Sequence, residues 1–271
     1  MNHIKLSPKS NIHPIQQNGF EQIIDNSIVM AYRGILKIFR NPEQLFDVTL
    51  MPIIFTLMFS YIFGGAIAGG VRNYLPIIIP GILVQTLLSA SMAIGVQLRE
   101  DMDKGVFNRF KSLPIARISP LIGALLANIV RYLIATLLTF VMGFMIGFKA
   151  YGGITGVISA GMLVIFVAWS MSWVFIFLGV ITHSASSLSG LSNLIMMPLT
   201  FLSNAFVPTS SFPKALRIIA NINPISHLIS AVRLLTNHGM MGPDIWLSLL
   251  GGIIFIVIFA PLSLKVYMSK A

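Results

Sequence analysis

The sequence contains no cysteine. Disulfides, thiolate chemistry and Cys-ligated metal sites are therefore excluded. Charge is nearly as scarce: Asp, Glu, Lys and Arg make up 10% of the 271 residues, against about 25% in soluble domains. Combined with 56% apolar residues and a mean hydropathy of +0.86, this scarcity excludes an ordinary soluble enzyme and a disordered chain. Acids are the rarest charges, at 8 against 18 Lys and Arg. The net charge of +10 thus reflects missing acids rather than abundant bases, which argues against a nucleic-acid partner. No Gly-Lys pair occurs, so the phosphate cradle G-x-x-x-x-G-K-[ST] is absent and ATP hydrolysis by this chain is not expected. His3, His13, His183, His227 and His238 never stand at ligand spacing with a carboxylate, so no metal site is expected. All eight acids lie outside the long apolar runs, although proton- or sodium-driven transporters carry their coupling ion on ionisable groups inside the membrane.

What is present is a series of long uncharged gaps. A membrane-spanning helix needs about 20 apolar residues. Asp47 and Arg72 enclose 24 uncharged residues, and Arg72 and Arg99 enclose 26. Arg117 and Lys149 bound a third run, broken only by Arg131. Residues 150–213 hold no charge for 64 positions, enough for two helices with a turn at the Ser-rich stretch His183–Ser189. Asp244 and Lys265 enclose 20 more. The expected fold is an all-α integral membrane protein with six transmembrane helices, over about 48–66, 74–97, 118–148, 153–181, 188–207 and 245–266. Residues 1–19 are polar, carry Pro8 and Pro14 and lack an apolar run, so they predict a flexible lead rather than a cleaved signal.

Lys and Arg set the orientation. With the N-terminus inside, the inner segments hold 12 of them and the outer segments 5, counting Arg72, Lys149, Lys214, Arg217 and Arg233 as outer. Both termini are then expected on the cytoplasmic side.

Three segments are not spans. Over 20–40, Phe20, Ile24, Ile28, Ala31, Ile35 and Phe39 form an apolar stripe and Arg33, Lys37 and Arg40 a basic one. This pattern predicts a helix lying in the cytoplasmic headgroup layer. The loop 98–119 opens with Glu100, Asp101 and Asp103 and closes with Lys104, Arg109, Lys111 and Arg117. Val106, Phe107, Phe110 and Leu113 share one face of a short helix, which either a partner's groove or the lipid surface could cover. The outer segment 206–243 holds Pro208, Pro213, Pro224 and Pro243, yet Ala215–Ala220 and Ile225–Leu235 read as helical. Two short re-entrant helices in the outer leaflet, between spans 5 and 6, account for both. Arg131 is the one charge inside a run. Either it snorkels to the inner surface from a span that starts near Asn128, or it has a functional or subunit-pairing role. The doublets Gly64-Gly65, Gly69-Gly70, Gly152-Gly153 and Gly251-Gly252 mark span ends or close helix contacts.

Residues 80–131 (PGILVQTLLSASMAIGVQLREDMDKGVFNRFKSLPIARISPLIGALLANIVR) resemble the permease subunits of type-2 ABC exporters, in particular the daunorubicin-resistance branch. The most specific element is E-D-x-x-K-G-x-x-x-R-x-x-S-L-P, from Glu100 to Pro114. Residues 202–235 (LSNAFVPTSSFPKALRIIANINPISHLISAVRLL) and, more weakly, 40–65 (RNPEQLFDVTLMPIIFTLMFSYIFGG) extend the resemblance to most of residues 20–268 as a single transmembrane domain.

The resemblance implies two permease copies paired with two ABC ATP-binding subunits that supply ATP and Mg. It assigns the loop after span 2 as a coupling helix docking on the ATPase. The positions that match are Glu100, Asp101, Lys104, Gly105, Val106, Phe107, Arg109, Phe110, Leu113 and Pro114. It also implies a bacterial cytoplasmic membrane and a second copy of the same chain as the pairing partner, with lipids and a hydrophobic substrate as the other contacts. The expected function is the non-enzymatic permease half of an ATP-driven exporter of an amphipathic or lipophilic compound, drug or antibiotic efflux first. The rivals are export of a polysaccharide, lipid-linked glycan or lipid, and a non-transport membrane anchoring factor. Only three Trp and six Tyr occur, which ranks an aromatic-lined glycan channel lower.

Overall fold

The computed structural model describes residues 19–40, 42–106, 116 and 118–270. Of the expected docking helix, Phe107, Arg109, Phe110, Leu113 and Pro114 lie outside the described residues, as does nearly all of the lead. Every regular element among the described residues is helical: α1 (Gly19–Arg40), α2 (Pro42–Ala68), α3 (Val71–Asp103), α4 (Ser119–Ile146), α5 (Gly153–Ile181), α6 (Ala185–Phe201), α7 (Lys214–Ile222), α8 (Pro224–Arg233) and α9 (Pro243–Lys270). A π-helical turn, Leu234–His238, follows α8.

Five of these are long and apolar enough to cross a membrane: α2, α3, α4, α5 and α9. The expectation was six. The run expected to span 188–207 forms α6, whose 17 residues stop at Phe201 and cover roughly 25 Å. It stops there because side chains take its last carbonyls. Asn223 Nδ2 donates to the Leu199 carbonyl at 2.6 Å, and Ser203 Oγ donates to that of Thr200. The preceding turn falls at Thr182–Ser184, where the Ser184 hydroxyl accepts from the Ser187 amide and starts α6. The Pro-punctuated segment holds two short helices, with α7 bent 79° from α8 and its π-turn.

Neighbouring helices approach closely where side chains are absent. A Cβ on Gly95 would stand 2.3 Å from the Phe175 carbonyl, so α3 and α5 cross backbone to backbone. Deeper in the bundle the Tyr132 hydroxyl of α4 gathers Ser91 of α3 (2.8 Å), Ser172 of α5 (2.7 Å) and Asn128 (2.7 Å). Polar side chains satisfied against one another are the form in which such groups persist inside a membrane protein.

The two ends of the bundle differ. At one, Leu98 of α3, Leu121 of α4, Val180 of α5 and Tyr267 of α9 form a shared cluster. Arg99 donates to the Thr182 carbonyl there at 2.8 Å. At the other, Tyr74 near the start of α3 donates to the Phe206 carbonyl at 2.7 Å, and the Gly152 amide reaches the Thr236 carbonyl at 2.9 Å.

Candidate functional site

The α3–α4 groove and the two ends of α3 carry the positions singled out in the sequence. α3 is 33 residues long, about 50 Å, and so exceeds a hydrocarbon core of roughly 30 Å by several turns. Its overhanging end bears the first half of the expected docking motif. Lys104 pairs with Glu100 at 3.2 Å one turn apart, and Arg99 pairs with Asp103. Asp101 faces the other way and pairs with Lys37 of α1 at 3.1 Å. The helix stops at Asp103, and Gly105 turns the chain with φ +68°, a conformation that disfavours side-chain residues. Val106 follows, partly buried, at the edge of the described residues. Glu100, Asp101, Lys104, Gly105 and Val106 are thus gathered at one exposed end.

α1 does not lie apart from the bundle. Its Ser27, Ala31 and Ile38 are buried, and Gly34 sits so close that a Cβ there would be 2.7 Å from that of Ala127. Gly123 of α4 likewise admits the backbone of Met30 and Ala31. Of the expected apolar stripe, Ala31 is buried in this contact while Ile24, Ile28 and Phe39 remain exposed. Small residues, which carry no hydrophobic signal, make the contact with α4.

Arg131 is 3% exposed. It borders a cavity of about 100 Å³ between α1, α3 and α4, together with Arg33, Lys37, Gln97, Asp101 and Asn128. α4 begins at Ser119, and α1 packs against its first turns.

Farther along the same groove a second cavity, of about 310 Å³, opens between α2, α3 and α4. Met51, Phe55 and Met92 supply apolar walls, while Gln85, Thr86 and Ser89 supply neutral hydrogen-bonding groups. Gln85 lies about 20 Å along α3 from its start, in the inner part of a hydrocarbon core of roughly 30 Å. No charged residue is among those lining this cavity.

The remaining end of α3 shows what sequence reasoning missed. Pro80 has no N–H, so the Pro76 carbonyl lacks its helical partner. Asn237 Nδ2 supplies the bond at 3.1 Å. Arg233 donates to the neighbouring Ile77 carbonyl at 2.8 Å and also to that of Asn204. Counted as an outer loop charge, Arg233 is in fact a clamp on backbone carbonyls. Gly81 completes the joint: a Cβ there would be 2.2 Å from the Ala205 carbonyl. His227 Nδ1 lies 2.7 Å from Asp244 Oδ1 and ties α8 to the start of α9, a pairing 17 residues apart that helix periodicity does not reveal. No group of three or more metal-ligating side chains occurs among the described residues.

The joint at Gly81 and Ala205 brings together two of the sequence stretches that carried the resemblance. The family model for the ABC-2 type transporter matches residues 26–236. The chain belongs to the ABC-2 type transporter family. It is 37% identical over 248 residues to a daunorubicin resistance ABC transporter permease protein, DrrB1, of Streptomyces coeruleorubidus, covering 91% of this chain and 87% of that protein. A putative transport permease, ycf38, of Cyanophora paradoxa is 26% identical over 219 residues, or 79% of this chain and 75% of that one. A probable doxorubicin resistance ABC transporter permease protein, DrrC, of Mycobacterium tuberculosis is 22% identical over 231 residues, or 85% and 82%. This ABC-2 permease is a multi-pass membrane subunit without catalytic machinery of its own, and it works with an ATP-binding partner subunit. Family membership removes the reading as a non-transport anchoring factor.

Proposed function

We propose that this permease exports an amphipathic or lipophilic compound, drug or antibiotic efflux first, through a path between two copies of the chain. The observation that carries the substrate class is the cavity beside Gln85. Its walls are apolar, its polar groups are neutral, and a lipophilic ring system bearing hydroxyl or carbonyl substituents matches both. The daunorubicin and doxorubicin resistance named for two of the relatives supports the same class.

The connectivity supports six crossings. α5 ends beside Arg99, at the end of the bundle where α9 also finishes. α9 begins at the opposite end, so the chain between them crosses once more, and α6 with its following turn is the element available. The pair α7–α8 then starts and finishes on one side, as a re-entrant segment does. With the excess of Lys and Arg placed inside, both termini are cytoplasmic and α1 lies in the inner headgroup layer.

Residues 100–114 form the docking element. ATP binding closes two ATPase subunits, and the apolar face Val106, Phe107, Phe110 and Leu113 receives that motion. ATP can drive transport only by biasing two arrangements of the permease pair. The overhanging end of α3 is a lever from the dock to the groove.

Mild-detergent capture of the full chain from its native membranes tests this. A subunit with the G-x-x-x-x-G-K-[ST] sequence is expected to co-purify, and Leu113→Asp is expected to release it while the permease still inserts. A Leu113→Asp chain that keeps its ATPase subunit and exports normally would overturn the docking assignment.

A further inference from the structure

We infer that the cavity between α1, α3 and α4 is a binding site for the phosphate of an anionic membrane lipid. The inference rests on the preceding one only in placing α1 at the cytoplasmic face.

Three observations converge. The first is charge. Arg33 and Lys37 from α1 and Arg131 from α4 line the cavity, against one acid, Asp101. A guanidinium has five N–H donors, so it can hold a protein group and a phosphate oxygen at once. The second is size. About 100 Å³ is room enough for a headgroup phosphate. The third is depth. α4 ends at Ile146, and about 20 residues suffice to cross the hydrocarbon core. The core then begins near Ala127. Pro120 and Ala124 of the lining fall at headgroup level, and Arg131 lies about one turn inside it. The same measure from Val71 ends the core near Ala90, so Gln97 and Asp101 of the lining also fall beyond it. Basic pockets between membrane helices on the cytoplasmic side, where anionic lipids concentrate, are a recognised form of headgroup site.

The site also has a built-in competitor. Lys37 is already paired with Asp101, and Asp101 belongs to the docking motif. A phosphate drawn to Lys37 competes with that carboxylate. Lipid occupancy therefore acts on the base of the docking element rather than on the transport path.

The test uses the full-length permease in phosphatidylcholine nanodiscs doped with phosphatidylglycerol, with native mass spectrometry counting the lipids retained. Phosphatidylglycerol is expected to be retained over phosphatidylcholine. Arg33→Ala and Lys37→Ala are each expected to reduce that retention about fivefold. Asp101→Asn is expected to raise it, and this opposite sign separates a binding effect from a folding defect. Equal retention of the two lipids, or retention unaffected by all three substitutions, overturns the inference. Inorganic phosphate that stabilises the chain against heat while phosphatidylglycerol is not retained also overturns it, in favour of a free phosphate. The readout needs no ATPase subunit, so it fails or succeeds independently of the Leu113→Asp capture.

Discussion

The two ends of α3 are held by different physics. Around Pro76–Gly81 the contacts are backbone to backbone or side chain to backbone: Arg233 and Asn237 on open carbonyls, Tyr74 on Phe206, and Gly81 against Ala205. These groups are buried or half-buried, and moving Asn237 would leave the Pro76 carbonyl unbonded in an apolar setting, which is expensive. Around Arg99–Lys104 one side chain, Arg99, still holds a backbone carbonyl, that of Thr182, but the other contacts are ion pairs between half-exposed side chains, such as Lys37 with Asp101 and Lys104 with Glu100. Pairs of that kind contribute at most about 1 kcal/mol and exchange readily with water. The first end is a fixed joint and the second a loose one. With the docking role proposed for residues 100–114, this arrangement lets the driven end move while the far end supplies the pivot.

The contrast is broken most directly at Gly81. Gly81→Val places a methyl-bearing carbon into the Ala205 carbonyl and is expected to destabilise the chain by ~3 kcal/mol or more, read as a collapse in yield and thermal midpoint of the detergent-purified permease. Near-normal melting would mean the joint is not rigid. Arg233→Ala is next. It strips donors from the Ile77 and Asn204 carbonyls and is expected to cost ~2 kcal/mol, with Arg233→Lys recovering only part because one ammonium cannot reproduce the fork. Tyr132→Phe removes the shared hydroxyl midway along the bundle. Ser91 retains its bond to the Ala168 carbonyl, so the loss is expected to be about 1 kcal/mol. Lys104→Ala at the loose end is expected to change the thermal midpoint least, by under ~0.5 kcal/mol, whatever it does to ATPase capture. A Lys104→Ala effect as large as that of Arg233→Ala would erase the distinction between the ends.

The all-helical membrane architecture was legible because charge is excluded from hydrocarbon, so gaps between charges mark long helices. α2, α3, α4, α5 and α9 all fall in such gaps. The shortness of α6 was not legible, since the groups that end it, Ser203 and Asn223, act through bonds to carbonyls up to 24 residues away. The position of α1 was only half legible. Its apolar stripe was visible and includes the buried Ala31, but the close approach to α4 is made at Gly34, which periodicity overlooks. For the site, the cluster of Glu100, Asp101 and Lys104 was apparent as a motif. The depth of Arg131 and the clamp by Arg233 were not, because a charge in a sequence does not disclose whether it meets water, a carboxylate or a carbonyl.

The Arg233 clamp also constrains how the protein is made. α3 enters the membrane early, yet the side chains that close its carbonyls at Pro76 and Ile77 stand about 160 residues later, at Asn237 and Arg233. During synthesis, which proceeds from the N-terminus, the second crossing is inserted while its proline-interrupted turn is still open. It is completed only after residue 237 has been added. A ribosome stalled before residue 233 leaves a permease whose central helix is the one part that cannot yet tolerate lipid, a ready mark by which membrane quality control could tell an unfinished copy from a finished one.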